Sequence, residues 1–116
     1  MIENMLRGKN TKTEGFIEFF IYKEKDSYVG VCLTFDILEE GAHPELLMKS
    51  LEEAALLHLE TVRKHKLSDT LLNRHAPKMY WEKYENIVAA LKKKPRSSPF
   101  ALQVSPYLNG KICLVV

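Results

Sequence analysis

The order of elements in the first half of the chain constrains its fold most strongly. The segment FIEFFIYKEKDSYVGVCL alternates apolar and polar residues on both sides of a turn at 25–27, which predicts an antiparallel hairpin with one well-buried face. A third short strand is predicted over 35–39, and Gly41 permits the change of direction after it. Pro44 fits the first turn of the long helix that follows. This order predicts an α+β fold, in which one long helix packs across a three-stranded antiparallel sheet.

The long helix, predicted over 44–65, is amphipathic. At about 100° per residue, one stripe collects its apolar side chains together with a histidine: Leu47, Leu51, Ala54, Ala55, His58 and Val62. Leu56 projects instead from the charged side, and we expect it to contact a partner or another subunit. Gly30 offers no side chain within its strand, which predicts a neighbour packed closely over it.

The second half of the chain predicts further short helices and a C-terminal strand or hairpin that joins the sheet. A short helix is predicted over 70–75, and Pro77 begins another that continues to about residue 92. Tyr80 and Tyr84 share one side of that helix, with Trp81 beside them. Strands are predicted over 100–105 and 111–116, joined by a two-residue turn at residues 109–110.

Length and composition fit one globular domain. The chain has 116 residues, of which 46% are hydrophobic, and a formal net charge of +2, too small a surplus to indicate nucleic-acid binding. No apolar run approaches the roughly 20 residues that span a bilayer, and the N-terminus lacks the apolar core of a signal peptide, so a cytoplasmic protein is expected. Cys32 and Cys113 are predicted to be buried free thiols.

We divide the chain into a flexible arm and a single α+β domain. The arm is predicted over 1–13, because these residues are polar and lack periodicity. The domain is predicted over 14–116, with a β-β-β-α core at 14–66, a helical pair at 67–94 and the C-terminal strand or hairpin at 99–116.

The sequence contains no set of residues that indicates a particular reaction, and we predict no reaction centre. Asp36, Glu39 and Glu40 could hold Mg²⁺ for nuclease chemistry, but neighbouring residues of a strand point to opposite faces, which favours a solvated acidic edge. His58 is predicted to be partly buried and hydrogen-bonded. No metal and no cofactor are expected, and we predict that the chain is not an enzyme.

Three motifs carry a resemblance to the HicB-like antitoxin family over residues 16–63. Residues 28–31, YVGV, are similar to the "gYvA" strand of that family. Residues 35–41 resemble its short acidic third strand that ends in glycine. Residues 53–60, EAALLHLE, resemble its "EAlelyLe" helix. The usual threonine-rich start of that helix is replaced here by His43, Pro44 and Glu45.

The resemblance implies a truncated RNase-H-like fold and a role in a toxin–antitoxin system. A HicB protein binds a small basic HicA-type toxin that cuts messenger RNA, and it masks the active surface of that toxin. It also implies a homo-oligomer, a dimer or a tetramer. We expect the partner or oligomer interface to include Asp36, Glu39, Glu40, Leu56, Tyr80, Trp81 and Tyr84.

Two alternatives stay open at this point. Residues 67–116 match neither of the DNA-binding modules that HicB-like proteins carry, which makes DNA binding doubtful. The chain could nevertheless be a stand-alone HicB-like binding protein or a DNA-binding regulator without a toxin partner. A minimal metal-dependent nuclease is a weaker alternative, because it needs acids that converge on a shared metal position.

Overall fold

The computed structural model describes residues 10–93, 101–109 and 111–112. Its five strands form one antiparallel sheet in the order β3-β2-β1-β4-β5. The prediction of an α+β fold is confirmed. The sheet has more than the three strands predicted for its N-terminal part, because the C-terminal hairpin joins it, as predicted: β4 pairs with β1 on the side away from β2. The elements are β1 (Glu14–Glu24), β2 (Ser27–Cys32), β3 (Ile37–Gly41), α1 (Pro44–Lys64), a 3-10 helix (Asp69–Leu72), α2 (Lys78–Lys93), β4 (Ala101–Leu108) and β5 (Lys111–Ile112).

Helix α1 packs across β1, β2 and β3 and buries the first face of the sheet. A Cβ atom built on Gly30 would lie 2.6 Å from Cδ1 of Leu51 and 3.0 Å from Cγ of Leu47, which confirms the predicted close neighbour. His58 is half-buried, as predicted: its Nε2 lies 2.6 Å from the carbonyl oxygen of Leu71, which can only accept, so Nε2–H donates. The buried residues of this first core include Ile17, Phe19, Ile21, Phe35, Leu47, Leu51, Ala55, Leu59 and Val62.

The opposite face of the sheet is also buried, although the sequence pattern indicated only one buried face. Alternation in β1 indicated one well-buried face, but Phe20 is as inaccessible to solvent as Phe19. Trp81 of α2 covers this second face, so the sheet lies between two helical layers. The buried residues of this second core are Phe20, Tyr22, Val29, Val31, Leu33, Ala76 and Trp81.

The segment before β3 is a turn and not the start of a strand. The strand predicted over 35–39 is observed at Ile37–Gly41. Asp36 has a φ of 59°, a left-handed conformation that aspartate tolerates better than most residues. Phe35 is buried, and its ring centroid lies 4.8 Å from that of His58 on α1. The turn therefore anchors the chain to the core before it enters the edge strand.

The C-terminal hairpin forms as predicted within the described residues. Leu108 pairs with Lys111 across a turn in which Asn109 has a φ of 53°. The predicted strand residues 113–116, including Cys113, lie outside the described residues. The short helix predicted over 70–75 is a 3-10 helix at Asp69–Leu72, capped by the Ser68 hydroxyl, which accepts from the Thr70 N–H.

Asn10 and Thr11, at the end of the predicted arm, make hydrogen bonds to the domain. The side chain of Asn10 donates to the carbonyl oxygens of Phe16 (2.9 Å) and Leu72 (3.0 Å) and accepts from the Phe16 N–H (3.0 Å). The Tyr107 hydroxyl donates to the carbonyl oxygen of Thr11 at 2.6 Å, and its burial raises the Tyr107 pKa. The flexibility of the arm stays a prediction, and residues 1–9 lie outside the described residues.

Cys32 is a buried free thiol, as predicted. Burial raises the pKa of Cys32 from 9.0 to about 12, because the thiolate would lose its hydration. None of the helices in the described ranges is long and apolar enough to cross a membrane.

In a Cys113→Ser background, we expect the Cys32 thiol to resist a disulfide reagent at pH 8 in the native protein and to react fully in denaturant. Since its folded pKa lies above the ordinary value, the contribution of Cys32 to stability is complete below about pH 9 and is lost as the pH rises towards 12. Absorbance of the released thiol, followed with and without guanidinium, checks the reactivity. Native and denatured protein reacting at the same rate would contradict the burial.

Candidate protein-binding surface

Three of the predicted interface residues lie together at one edge of the sheet. Among the described strands, β3 is the outermost on this side, next to β2 alone. Asp36 occupies the turn that precedes β3, and Glu39 and Glu40 lie within the strand. We call Asp36, Leu38, Glu39 and Glu40 the β3 edge.

The carboxylates of the β3 edge are not neutralised by cations in the described part of the chain. Asp36 and Glu40 are exposed. Glu39 is half-buried, and its Oε1 accepts a hydrogen bond from the Ser50 hydroxyl of α1 at 2.6 Å. The salt bridges found among the described residues involve other acids, Asp69 with Lys12 and Glu82 with Lys78. The edge therefore carries negative charge that is open to a partner.

Side chains of the β3 edge alternate between the two faces of the sheet. Glu39 is opposite Gly30, over which α1 packs, so Glu39 lies on the α1 side. Leu38 and Glu40 lie on the other side, next to Val31 and Val29. Leu38 is 55% exposed, a large value for an apolar side chain in a sheet. The β3 edge thus offers charge on both faces and an apolar side chain on one.

Leu56 lies away from the β3 edge. It is half-buried, and one helical turn before it Glu52 accepts a hydrogen bond from Gln103 of β4 at 2.9 Å, which places this side of α1 towards β4. The exposed leucines of α1 are Leu46 and Leu57, each 64% exposed. They lie on the same side of the helix as Ser50, which bonds to Glu39. Leu56 was predicted to be the exposed leucine, but it is half-buried and the neighbouring Leu57 is exposed.

The predicted aromatic anchors belong to the second core. Trp81 is 6% exposed, and its ring meets that of Tyr84 edge to face with centroids 6.0 Å apart. Tyr80 and Tyr84 are half-buried against the same cluster. Burial raises the pKa of the neighbouring Tyr22, and the Glu24 carboxylate raises it further. The three aromatic side chains therefore pack on the second face of the sheet.

The chemistry available at the β3 edge is recognition by charge and by backbone hydrogen bonds. Glu39 and Glu40 point to opposite faces, so their carboxylates diverge. Across residues 10–93, 101–109 and 111–112, no group of three or more His, Cys, Asp or Glu side chains is placed to hold a metal ion.

Comparison of the chain with family models, with curated proteins and with solved structures finds no match. A functional assignment therefore depends on the residues and geometry of the β3 edge. An open strand edge exposes unpaired backbone groups, which can pair with a strand of another chain. Together with its unneutralised carboxylates, this makes the β3 edge the strongest candidate for a functional surface in the described part of the chain.

Proposed function

We propose that the chain is a protein-recognition module: a HicB-like antitoxin that binds a small basic HicA-type toxin and masks its active surface. The observation that carries the proposal is the acidic β3 edge, an open strand whose three carboxylates lack a cationic partner among the described residues. The motifs over 16–63 suggest the HicB-like form of this role, and with it a truncated RNase-H-like fold and self-association.

The acidic edge would attract a basic partner through complementary charge. A negative patch attracts a basic partner over about 8 Å at physiological salt and raises the rate of encounter. The net charge of the whole chain is +2, so the attraction must come from the local arrangement and not from the overall charge. Binding of this kind should weaken as the salt concentration rises.

The aromatic face of α2 is packed against the sheet and is not free to contact DNA. A helix that reads the major groove must present its side chains to DNA. Here Trp81 is buried against the sheet, and Tyr84 lies 5.9 Å from Phe20, centroid to centroid. A stand-alone binding protein with a different basic partner would use the β3 edge in the same way.

We expect a triple variant, Asp36→Asn, Glu39→Gln and Glu40→Gln, to bind a basic toxin at least about tenfold more weakly at low salt, because three attractive charges are removed. The test co-expresses the chain with any small basic protein encoded beside it, and measures both copurification and rescue of growth. Calorimetric titrations at two salt concentrations then give the affinity of each variant.

A matched control removes the same charge elsewhere. Glu14, Glu60 and Glu82 are exposed and lie outside the β3 edge, so their replacement by glutamine changes the net charge equally. We expect this control to alter the affinity by less than about twofold. Equal loss in both triple variants would reject the β3 edge as the binding surface, and the absence of both copurification and rescue would reject the antitoxin assignment.

A further inference from the structure

The register of the sheet determines which backbone groups of β3 are open. The Leu33 N–H donates to the Glu18 carbonyl oxygen at 2.8 Å, so alternate residues of β2 direct their backbone groups to β1. The intervening residues of β2, Tyr28, Gly30 and Cys32, face β3, where they are paired with Gly41, Glu39 and Ile37. In antiparallel pairing, the residues of β3 between these partners direct their backbone groups away from β2. The N–H and C=O groups of Leu38 and Glu40 therefore point outwards.

A second copy of this chain is a poor occupant of the β3 edge. In antiparallel pairing with itself, β3 could be centred on residue 38, 39 or 40. Centring on residue 38 brings Glu40 near Asp36 of the other copy. Centring on residue 39 places Glu39 opposite Glu39, and centring on residue 40 places Glu40 opposite Glu40. Like charges directly opposite each other destabilise a strand pair. The acids thus disfavour self-pairing and leave a basic strand as the complementary occupant.

We propose that the β3 edge accepts an extended basic segment of a partner protein as a sixth strand. The partner's backbone bonds to the outward N–H and C=O groups of Leu38 and Glu40, the main-chain mode of recognition known from strand addition. Because alternate side chains of a strand lie on one face, Lys or Arg residues at alternate positions of the segment pair with Glu40 in one register and with Glu39 in the other. This inference rests on the proposed protein-binding role and names its partner chemistry and binding mode.

The test separates backbone bonding from side-chain contact at one position. Leu38→Pro removes the outward N–H and leaves the bonds of Ile37, Glu39 and Gly41 to β2, a site where an edge strand tolerates proline. Leu38→Ala keeps the N–H and removes most of the side chain. The probe is a blocked seven-residue peptide of alternating lysine and threonine, and its control alternates lysine and proline at the same charge.

We expect the lysine–threonine peptide to bind at least about tenfold more weakly to Leu38→Pro and within about threefold of wild type to Leu38→Ala, because the main chain carries the interaction. The lysine–proline peptide should bind far more weakly than the lysine–threonine peptide. In the unmodified protein, amide exchange should show that Leu38 and Glu40 become protected when the lysine–threonine peptide is added. That measurement tests the proposal even if the proline variant does not fold.

Equal binding of both peptides, or no binding of either, would overturn the proposal. Protection of Leu38 and Glu40 that rises with protein concentration alone would also overturn it, because a second copy would then occupy the edge. A copurified toxin that leaves both amides unprotected would reject strand addition while the proposed antitoxin role stands.

Discussion

Replacing Trp81 with alanine should lower the free energy of unfolding by about 3–5 kcal/mol, the range for large aromatic residues deleted from a core. The expectation follows from its burial among Phe20, Val31 and Ala76 on the second face of the sheet. Edge-to-face contacts with Tyr84 and with His75 add to the loss. Urea unfolding followed by circular dichroism measures it, since the variant lacks the only tryptophan of the chain.

Met79 supplies the matched control on the same helix. It is 55% exposed and two residues from Trp81, so Met79→Ala should cost less than about 1 kcal/mol. If Trp81→Ala were as mild as this control and weakened partner binding instead, Trp81 would be an interface anchor and the second core would be misassigned.

Replacing Asn10 with alanine should also have a large effect, and we expect it to lower the free energy of unfolding by about 2–4 kcal/mol. The side chain is 3% exposed and makes three hydrogen bonds, to Phe16 and to Leu72. Its removal leaves the Phe16 N–H, in a partly buried site, and the Leu72 carbonyl oxygen, in a buried one, without these partners. Unfolding monitored by the fluorescence of Trp81 provides the measurement.

Thr13→Ala is the control for Asn10, because Thr13 is exposed and its hydroxyl bonds only to the nearby Thr11 hydroxyl. We expect that variant to lie within about 0.5 kcal/mol of wild type. An Asn10→Ala protein with the stability of the Thr13→Ala control would show that the start of the chain is not fastened to the sheet in solution.

The elements that could be predicted are those specified by local chemistry. Pro44 begins α1 because its missing N–H costs nothing in the first helical turn. Asn109 turns the C-terminal hairpin with a positive φ, which asparagine tolerates. Gly30 indicated a close neighbour, and α1 supplies it through Leu47 and Leu51.

The features that were missed depend on contacts between distant parts of the chain. The hydrogen bond from Asn10 to Leu72 joins residues 62 positions apart, and no local pattern indicates it. The burial of Phe20 and Trp81 on the second face likewise requires α2 to fold back over the sheet. Polar residues of β1 on that face, such as the buried Glu18, made the second face look solvent-exposed in the sequence pattern.

Leu56 and Leu57 show why a helical pattern alone could not locate the exposed contact. At about 100° per residue, the two side chains lie at similar angles on either side of the buried stripe. Tertiary structure decides between them: the Leu56 side lies towards β4, whereas Leu57 shares the side of Ser50, which bonds to β3. The acids of the β3 edge were found because sequence neighbours at a strand edge stay together after folding.

Residue-resolved amide exchange of the free protein tests the open β3 edge most directly. We expect rapid exchange at Leu38 and Glu40 beside slow exchange at Ile37, Glu39 and Gly41, since only the backbone groups of the latter three face β2. Slow exchange at Leu38 and Glu40 in the dilute free protein, or rapid exchange at all five amides, would contradict this expectation.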